Sequence, residues 1–526
     1  MSTLPSRNPD PSQTPGLSPE AKARLAAVVR SLRERLLKDL GDAVQSTYRL
    51  SLPLEQADLD EEAWRKRKRL EAWLDEEARG GSRGVKETLA QARERHLQGI
   101  IKSAAATLLN RLVVLRQAEA LGMVRLKVLS GGWESPGYRE FRAFAPDLLA
   151  DETEGYSELL RLVCEEWALD LPGLFGEVGT ADLVPLPAAT LRAAVEALED
   201  PDLAPAWTDD TTLGWVYQFW NDPDREALDE KIRNRGKLEN HEIAAKTQLF
   251  TDRYMVEWLL QNSLGQVWFG ICARNGWTPE VVTNGTLERL EARRAGWRAK
   301  REAGEVDLEA LMPLDSDEEE RWKYWVPREL PAPASPDAGS IESAENAPAS
   351  VREVKLLDPA CGSGHFLVIA FELLAALYQE EARQRRALGQ VLVEEEWEPE
   401  AIASHILEEN LHGLDLDPRA VQIAAAALWL KARTWCRQGG AARAGWRLPA
   451  LRLKNLNLVA SNLGLAALPP DDPALLELLE AVEDETGIPG RLTRKVVESL
   501  KGADHLGSLL KVDAAVEAAL EAWEKD

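Results

Sequence analysis

Cysteine is scarce in this sequence, and its spacing excludes the usual cysteine-based sites. The 526 residues contain four cysteines, at Cys164, Cys272, Cys361 and Cys436. No two of them form a CxxC pair, so neither a zinc site nor a disulfide framework is predicted. Few and widely spaced cysteines are typical of proteins in the reducing cytosol. His365, His405 and His412 are not accompanied by an acid or thiol cluster at ligand spacing. The sequence therefore predicts no metal site.

Long hydrophobic runs are also missing. No stretch approaches the ~20 consecutive apolar residues of a transmembrane helix, and residues 1–20 lack the apolar core of a secretion signal. Hydrophobic residues make up 45% and charged residues 29% of the chain, which is ordinary for a soluble globular protein. We therefore predict a cytoplasmic protein with no membrane partner and, from its length, about two or three domains.

Positive charge is in short supply for a protein that would hold a polyanion by itself. The chain has 63 Lys and Arg against 88 Asp and Glu, a formal net charge of -25. Binding to DNA phosphates depends on clustered Lys and Arg. Any contact with nucleic acid must therefore use a local patch, or a surface supplied by another segment or chain.

One local basic run stands in a predicted helix, at residues 65–69. The sequence there is Arg-Lys-Arg-Lys-Arg, with acidic residues on both sides. A solvated helix face is the favoured interpretation, and contact with nucleic acid is the alternative. The 18 tryptophans are likewise predicted to be packing residues rather than platforms for stacking bases.

The spacing of apolar residues changes along the chain. Apolar residues recur at three- and four-residue spacing in the first half, with Ser18 as an N-cap, which predicts helices. Short strands alternate with helices in the last third, which predicts a parallel α/β sheet. The predicted boundaries are a disordered tail (1–17), a helical N-terminal domain (18–240), a helical segment (241–330), a Pro/Ala/Ser-rich linker (331–350) and an α/β domain (351–526).

Three short apolar runs are the predicted strands of that sheet, at 354–357, 410–417 and 451–461. A helix is predicted after the first run, at 364–388. Another is predicted after the second run, beginning at Pro418, because proline is favoured in the first turn of a helix.

The turn between the first strand and its helix has the composition of a ligand-binding loop. It reads Asp-Pro-Ala-Cys-Gly-Ser-Gly-His-Phe over residues 358–366. Gly362 and Gly364 would allow a ligand to approach the backbone, and free amides at the helix start offer donors to an anionic group. A dinucleotide fingerprint would need a third glycine where Leu367 stands, and no GK[ST] follows for a phosphate-binding P-loop.

The second strand ends in the acidic sequence Gly-Leu-Asp-Leu-Asp-Pro at residues 413–418. An acid at this position could accept hydrogen bonds from ribose hydroxyls. Alternation places Asp415 and Asp417 on the same side of the strand, so spacing does not choose between them. For Asp417, a role as the N-cap of the following helix is favoured.

These two segments together resemble motifs of the gamma-type, N6-adenine-specific DNA methyltransferases. The resemblance implies an incomplete Rossmann-like methyltransferase sheet that binds S-adenosylmethionine. In that family the glycine loop holds the methionine part of the cofactor, and the second-strand acid, here Asp415, holds its ribose. Phe366 would lie near the cofactor or the target base. The loop residues implied are Asp358, Ala360, Gly362 and Gly364.

An upstream segment extends the resemblance. Residues 247–254 read Thr-Gln-Leu-Phe-Thr-Asp-Arg-Tyr, similar to a further cofactor motif of the family. Phe250 and Thr251 would then contact the cofactor, while Asp252 stands where the family has proline. Segments from about residue 108 to 512, among them 213–221 and 506–512, resemble the large adenine methyltransferases of BREX phage-defence systems.

The family's catalytic tetrapeptide, [NDS]PP[YFW], does not occur in this sequence. The one Pro-Pro pair near the end of the chain is preceded by Leu468 and followed by Asp471. Such a tetrapeptide holds the flipped adenine and accepts hydrogen bonds from its amine. No catalytic residue is therefore predicted, and Asn455, Asn457 and Asn462 are open candidates for reading the cofactor adenine.

The predicted function is the cofactor-binding, N-terminal portion of an S-adenosylmethionine-dependent DNA adenine methyltransferase in phage defence or restriction-modification. Its predicted partners are double-stranded DNA and a possible second methyltransferase chain that supplies the catalytic motif. An inactive scaffold or regulatory subunit is the alternative. A nuclease site around Asp224 and Asp229 is disfavoured, because the spacing predicts one helical surface.

Overall fold

The computed structural model describes residues 17–80, 88–176, 181–234, 251–307, 310, 312–326, 346–390, 392–439, 456–460, 473–486 and 489–499. The helices before the sheet are α1 (Pro19–Tyr48), α2 (Glu61–Gly80), α3 (Leu89–Ala120), α4 (Pro136–Phe144), α5 (Tyr156–Trp167), α6 (Pro172–Phe175), α7 (Ala188–Ala197), α8 (Thr212–Arg233), α9 (Arg253–Asn275), α10 (Glu280–Thr283), α11 (Thr286–Glu302) and α12 (Asp317–Trp322). The remaining elements are β1 (Leu356–Asp358), α13 (His365–Ala387), α14 (Pro399–His405), β2 (Leu411–Asp415), α15 (Pro418–Gly439), β3 (Asn457–Ala460), α16 (Pro473–Thr486) and α17 (Gly490–Ser499).

A local signal in the sequence explains where α1 begins, and a contact from α2 caps its other end. Ser18 is its N-cap and accepts a hydrogen bond from the Ala21 amide, as predicted, and Pro19 occupies the first turn. Arg67, on α2, lies against the other end of α1. Its guanidinium donates to the carbonyls of Tyr48 (2.8 Å), Arg49 (3.1 Å) and Leu52 (2.6 Å). These bonds satisfy carbonyl groups that the helix end and the following turn would otherwise leave open.

The solvated-face prediction for the basic run 65–69 is therefore only partly right. Arg65 is exposed and Lys66 is half-buried, and they pair with acids one turn earlier on α2, Glu61 and Glu62. Arg67, by contrast, is buried, with 2% of its surface exposed. Spacing along one helix cannot reveal this, because the carbonyls that Arg67 binds belong to the preceding helix and loop.

The first half of the chain folds as a layer of helices around α1, α3 and α8. The second half of α3, from Ala104 to Ala120, is largely buried. Helix α15 of the α/β part packs on both α3 and α8. Trp429 of α15 also packs on Trp167 of α5, with ring centroids 5.2 Å apart. The helical layer and the α/β part therefore share a continuous core.

Most of the tryptophans that the structure describes contribute to packing, as predicted. The buried ones are Trp207, Trp220, Trp268, Trp277, Trp322, Trp325 and Trp429. Trp64 and Trp258 are partly exposed, at 40% and 48%. Within the described ranges, no helix is both long and apolar enough to span a membrane.

The sheet has three described strands in the order β1-β2-β3, all parallel. Leu356 pairs with Leu411 and Asp358 with Gly413, while Asp415 pairs with Ala460. Helices α13 and α15 connect successive strands and pack on each other. The parallel α/β arrangement is confirmed, and the strands are shorter than the apolar runs that predicted them. The first strand begins two residues later than predicted, after a 3₁₀ turn at Val351–Glu353.

Several sequence predictions fall outside the described residues. These are the tail up to residue 16, most of the linker 331–350 and the late segment 506–512. The same holds for Phe250, Asn455 and Asn462.

Candidate functional site

The glycine loop connects the carboxyl end of β1 to the first turn of α13. The Cys361 amide donates to the Leu414 carbonyl on β2 (2.8 Å), and the Gly364 amide donates to the Cys361 carbonyl (2.8 Å). Gly362 has φ +52° and Gly364 has φ +80°, left-handed conformations that favour glycine. The loop is thus a tight turn that ends as the helix begins.

The two loop glycines face different surroundings. A Cβ atom added to Gly364 would lie 2.8 Å from the Cβ of Ala424, so this glycine permits α13 and α15 to approach closely. A Cβ on Gly362 would meet nothing within 4 Å. Gly362 therefore borders open space, while Gly364 is a packing position.

A third glycine, Gly413 in β2, is also closely packed. A Cβ at this position would lie 2.7 Å from a methyl group of Leu458 and 2.9 Å from one of Leu367. The predicted motif included Gly413 only as a neighbour of the acids. Its close packing arises from side chains on β3 and α13, which the motif itself does not contain.

The two predicted acids converge on the loop. An oxygen of Asp358 accepts from the Ala360 amide (3.1 Å), and Asp415 accepts from the Gly362 amide (2.9 Å) and the Asp417 amide (2.8 Å). Burial, and to a lesser extent nearby acids, raise the pKa of both carboxyl groups above the ordinary range. Each carboxylate oxygen can accept more than one hydrogen bond, so Asp415 keeps acceptor capacity for a ligand.

The structure brings together Asp358, Ala360, Gly362, Gly364 and Asp415. Phe366 lies in the first turn of α13, half-buried against the core. Thr251 is exposed and stands two residues before α9 begins. Its neighbour Arg253 contacts Glu372 on α13, which ties the upstream segment to the helix that follows the loop.

Asp417 is the N-cap of α15, as favoured from the sequence. Its side chain accepts from the Arg419 amide (2.9 Å), and its carbonyl accepts from the Val421 amide (3.2 Å). The Arg419 guanidinium and the Tyr217 hydroxyl (3.0 Å) also donate to its carboxylate. Burial opposes ionisation of Asp417, but the charge and hydrogen bonds of Arg419 lower its pKa below the ordinary value.

A charged cluster lies next to the loop, formed by Asp210, Arg253, Glu372 and Lys431. Arg253 donates to Glu372 (2.6 Å) and to Asp210 (3.3 Å), and Lys431 donates to Asp210 (2.7 Å) and also contacts Glu372. The four residues come from the approach to α8 and from α9, α13 and α15. The cluster therefore joins the helical layer, the upstream segment and both crossover helices.

The cluster also affects the electrostatics of the loop. Burial opposes charge on Asp210, but Lys431 and Arg253 hold the pKa of that carboxyl well below its usual range. His365, the first residue of α13, is largely buried, and burial together with the Arg253 charge lowers its pKa to about 4. His365 is therefore neutral at physiological pH.

The remaining candidates take structural positions. The Asn457 side chain donates to the Glu408 carbonyl at the start of β3 (2.6 Å). Burial raises the pKa of the Cys361 thiol to about 12, so this group stays protonated at neutral pH. His405 contacts Arg352, and no group of three His, Cys, Asp or Glu residues in the described part of the chain could hold a metal ion.

The disfavoured nuclease site is a helical surface, as predicted. Its first acid, Asp224, and the following 229–231 all lie within α8. Asp224 pairs with Arg33 of α1 (2.8 Å) and Lys102 of α3 (2.5 Å), so it connects three helices of the layer.

Sequence reasoning assigned no role to Tyr217, Asp210 or Arg253. Tyr217 falls in segment 213–221 and Arg253 in segment 247–254, both of which carried the resemblance. Their contacts cross 200 and 119 residues of sequence, so no local pattern could identify the partners.

The α/β part of the chain is similar to known DNA methyltransferases. Residues 338–462, which contain the glycine loop, Asp415 and Asp417, match the family model described as the DNA-methyltransferase domain of MmeI. The chain is also similar to three curated proteins. It is 27% identical over 371 residues to the adenine-specific methyltransferase BrxX of Escherichia coli, covering 65% of this chain and 25% of BrxX.

The second relative is the adenine-specific methyltransferase PglX of Lacticaseibacillus casei, 29% identical over 221 residues, with 42% of this chain and 14% of PglX covered. The third is a putative type II restriction enzyme and methyltransferase of Methanocaldococcus jannaschii, 37% identical over 78 residues, covering 15% of this chain and 6% of that protein. The predicted resemblance to adenine-specific DNA methyltransferases is confirmed. The matched region spans at most a quarter of the length of these relatives.

Proposed function

We propose that this chain is the cofactor-binding portion of an S-adenosylmethionine-dependent DNA adenine N6-methyltransferase with a Rossmann-like sheet. The observation that carries the proposal is the hydrogen bond between the Gly362 amide and the Asp415 carboxylate (2.9 Å). It joins a glycine loop and a second-strand acid at the carboxyl ends of adjacent parallel strands. Ligands of open α/β sheets bind at that edge.

The residues present fit the chemical groups of S-adenosylmethionine. The space beside Gly362 is open, since a Cβ added there would meet no atom within 4 Å. Amides in the first turn of α13 suit the cofactor carboxylate, and Asp358 offers a negative charge to its ammonium group. Asp415 accepts hydrogen bonds from ribose hydroxyls. Phe250, Thr251 and Phe366 would line the cofactor, as the resemblance implies.

The cofactor supplies an activated methyl group on a sulfonium centre. This chain's own residues hold and orient it: both backbone donors to Asp415 fix the carboxylate before the ligand arrives, which reduces the ordering cost of binding. The [NDS]PP[YFW] tetrapeptide is absent from the sequence. Methylation therefore needs that motif from another segment or from a second methyltransferase chain.

The proposed organisation follows the sequence boundaries: tail 1–17, helical domain 18–240, upstream segment 241–330, linker 331–350 and methyltransferase part 351–526. With a net charge of -25, this chain leaves most of the DNA contact to the segment or chain that carries the catalytic motif. We place the assembly in the cytoplasm, in phage defence or restriction-modification.

Isothermal titration of the whole chain with S-adenosylmethionine tests the proposal. We expect binding, and we expect Asp415→Asn to weaken it about 10-fold or more, because a hydrogen bond to a charged group is lost. Gly362→Asn should also weaken binding, since asparagine tolerates a left-handed backbone but its side chain fills the open space.

Asp147→Asn, at an exposed acid in the turn Pro146–Leu148, is the matched control and should bind as the parent chain does. Absence of heat and of a thermal shift at millimolar cofactor with the parent chain would overturn the proposal and favour a scaffold.

The pH dependence of binding gives an independent test. Burial raises the pKa of Asp415, so this acid takes up its proton at a higher pH than an ordinary aspartate. The ionised form is the better acceptor and attracts the cationic cofactor. Affinity should fall as the pH is lowered, beginning above the usual aspartate range, and the fall should be smaller in Asp415→Asn. An identical pH profile in both proteins would show that Asp415 does not bind the cofactor.

A further inference from the structure

We infer that Tyr217, in the helical layer, is a positioning residue for the cofactor site. It helps to fix the orientation of Asp415, the acid proposed to bind the ribose, by holding Asp417. This inference rests on the proposed function. It gives the helical layer a part in cofactor binding, in addition to packing against the sheet.

Tyr217 forms a direct contact between the helical layer and the α/β part of the chain. Helix α8 packs on α15, and the buried Tyr217 hydroxyl lies 3.0 Å from Asp417 Oδ2. Burial raises the pKa of Tyr217 well above its usual value, with the Asp417 charge adding to the effect. The phenol therefore keeps its proton and donates to the carboxylate.

The Asp417 side chain is held in place by hydrogen bonds from Arg419 and Tyr217. Arg419 donates to this carboxylate from its amide (2.9 Å), its Nε (2.9 Å) and an Nη (2.7 Å). All three bonds come from the same helical turn, two residues away. Tyr217 is the side chain from a distant element that joins them, so it fixes Asp417 relative to the helical layer.

Asp417 is in turn hydrogen-bonded to Asp415, the acid proposed to bind the ribose. The Asp417 amide donates to Asp415 Oδ1 (2.8 Å), while Asp415 Oδ2 accepts from the Gly362 amide (2.9 Å). The amides of Gly362 and Asp417 thus help to orient the Asp415 carboxylate. Tyr217 restrains the second of these amides by holding the side chain of the same residue, Asp417.

Helix α8 is itself firmly held, so the hydroxyl is presented from a rigid element. Asp222 of α8 pairs with Arg30 of α1 (3.0 Å), and Asp224 pairs with Lys102 of α3 (2.5 Å). These partly buried pairs fix α8 to two neighbouring helices. A tyrosine on such a helix loses little additional freedom when its hydroxyl makes a hydrogen bond.

The test compares two ligands rather than one. The full chain and Tyr217→Phe are titrated with S-adenosylhomocysteine and with its 2′,3′-dideoxy analogue, which lacks the ribose hydroxyls. Tyr217→Phe should weaken binding of S-adenosylhomocysteine about 5-fold and binding of the analogue less than 2-fold, because one hydrogen bond in the path to the ribose acid is lost.

Tyr156→Phe is the matched control. Tyr156 is fully buried in the helical layer and its hydroxyl donates to the Val128 carbonyl (2.9 Å), away from the loop. This variant should bind both ligands as the parent chain does. Asp415→Asn is the reference variant, and it should lose more affinity for S-adenosylhomocysteine than for the analogue without ribose hydroxyls.

Asp417→Ser made together with Arg419→Met gives a second route to the same answer if Tyr217→Phe folds poorly, because the second change avoids leaving the partly buried Arg419 guanidinium unpaired. Serine retains the N-cap but is too short to reach Tyr217. This variant should show the same ligand-dependent loss, and adding Tyr217→Phe to it should cause no further loss. Equal losses for the two ligands, or no loss, would overturn the inference. A parent chain that binds neither ligand would instead contradict the proposed function.

Discussion

The glycine loop and the charged cluster lie side by side but are built in different ways. The loop is held by backbone amides and two carboxylates, as in the 2.9 Å bond from the Gly362 amide to Asp415 and the 3.1 Å bond from the Ala360 amide to Asp358. The charged cluster uses long side chains whose partners are as far apart in sequence as Lys431 and Asp210, separated by 221 residues. At Gly364 the loop has little tolerance for added atoms, whereas the cluster has little tolerance for a missing charge.

The largest effect is expected where one charge of the cluster is removed. Arg253→Met removes one cationic partner from the buried Glu257 and from the partly buried Asp210 and Glu372, which should destabilise the fold by about 4 kcal/mol. Urea unfolding followed by tryptophan fluorescence measures the loss. Arg161→Met, which removes exposed ion pairs with Glu158 and Glu165, is the control and should change little. Similar midpoints for both variants would mean that the cluster adds no more than a surface pair.

A smaller effect is expected where one methyl group is added to the loop. Gly364→Ala combines a left-handed φ with a Cβ placed 2.8 Å from Ala424. The two costs together should destabilise the chain by about 3 kcal/mol. Gly362→Ala shares the left-handed backbone but meets open space, so it should cost only about 1 kcal/mol. Equal losses in thermal unfolding of the two variants would contradict the distinction between a packing glycine and a ligand-side glycine.

The smallest of these effects is expected at Glu380, a buried acid of α13 with no place in the charged cluster. It accepts from the Glu280 amide (2.7 Å), and burial raises its pKa to about 7. The folded state therefore favours the protonated form, and the associated stability is present at acid pH and lost as the pH rises through 7.

Glu380→Gln keeps an acceptor oxygen without the charge. The shift sets an upper limit of about 3 kcal/mol, and we expect a stabilisation of about 2 kcal/mol at pH 8 and almost none at pH 4, below the pKa of an unfolded glutamate. Melting temperatures at the two pH values measure it, with the exposed Glu394→Gln as control. A variant that is less stable than the parent at pH 8 would show that the charged form is favoured in the fold.

The predictability of the site follows the same division. The loop, the two acids and the N-cap at Asp417 were predicted because a strand, a turn and a helix start are encoded within about ten consecutive residues each. The burial of Arg67 was not predicted, since it depends on where α1 ends relative to α2. The close packing at Gly413 was not predicted either, because it is set by Leu458 and Leu367.

The sequence by itself determined the parallel α/β sheet, the glycine loop and the resemblance to adenine-specific methyltransferases. Each depends on hydrophobic periodicity or on short-range hydrogen bonds, which a linear pattern records. Only the tertiary structure decided that Tyr217 contacts Asp417 and that Asp210, Arg253, Glu372 and Lys431 meet. Such contacts need the chain to bring elements more than 100 residues apart into one low-dielectric region, where a charge is stable only beside its partner.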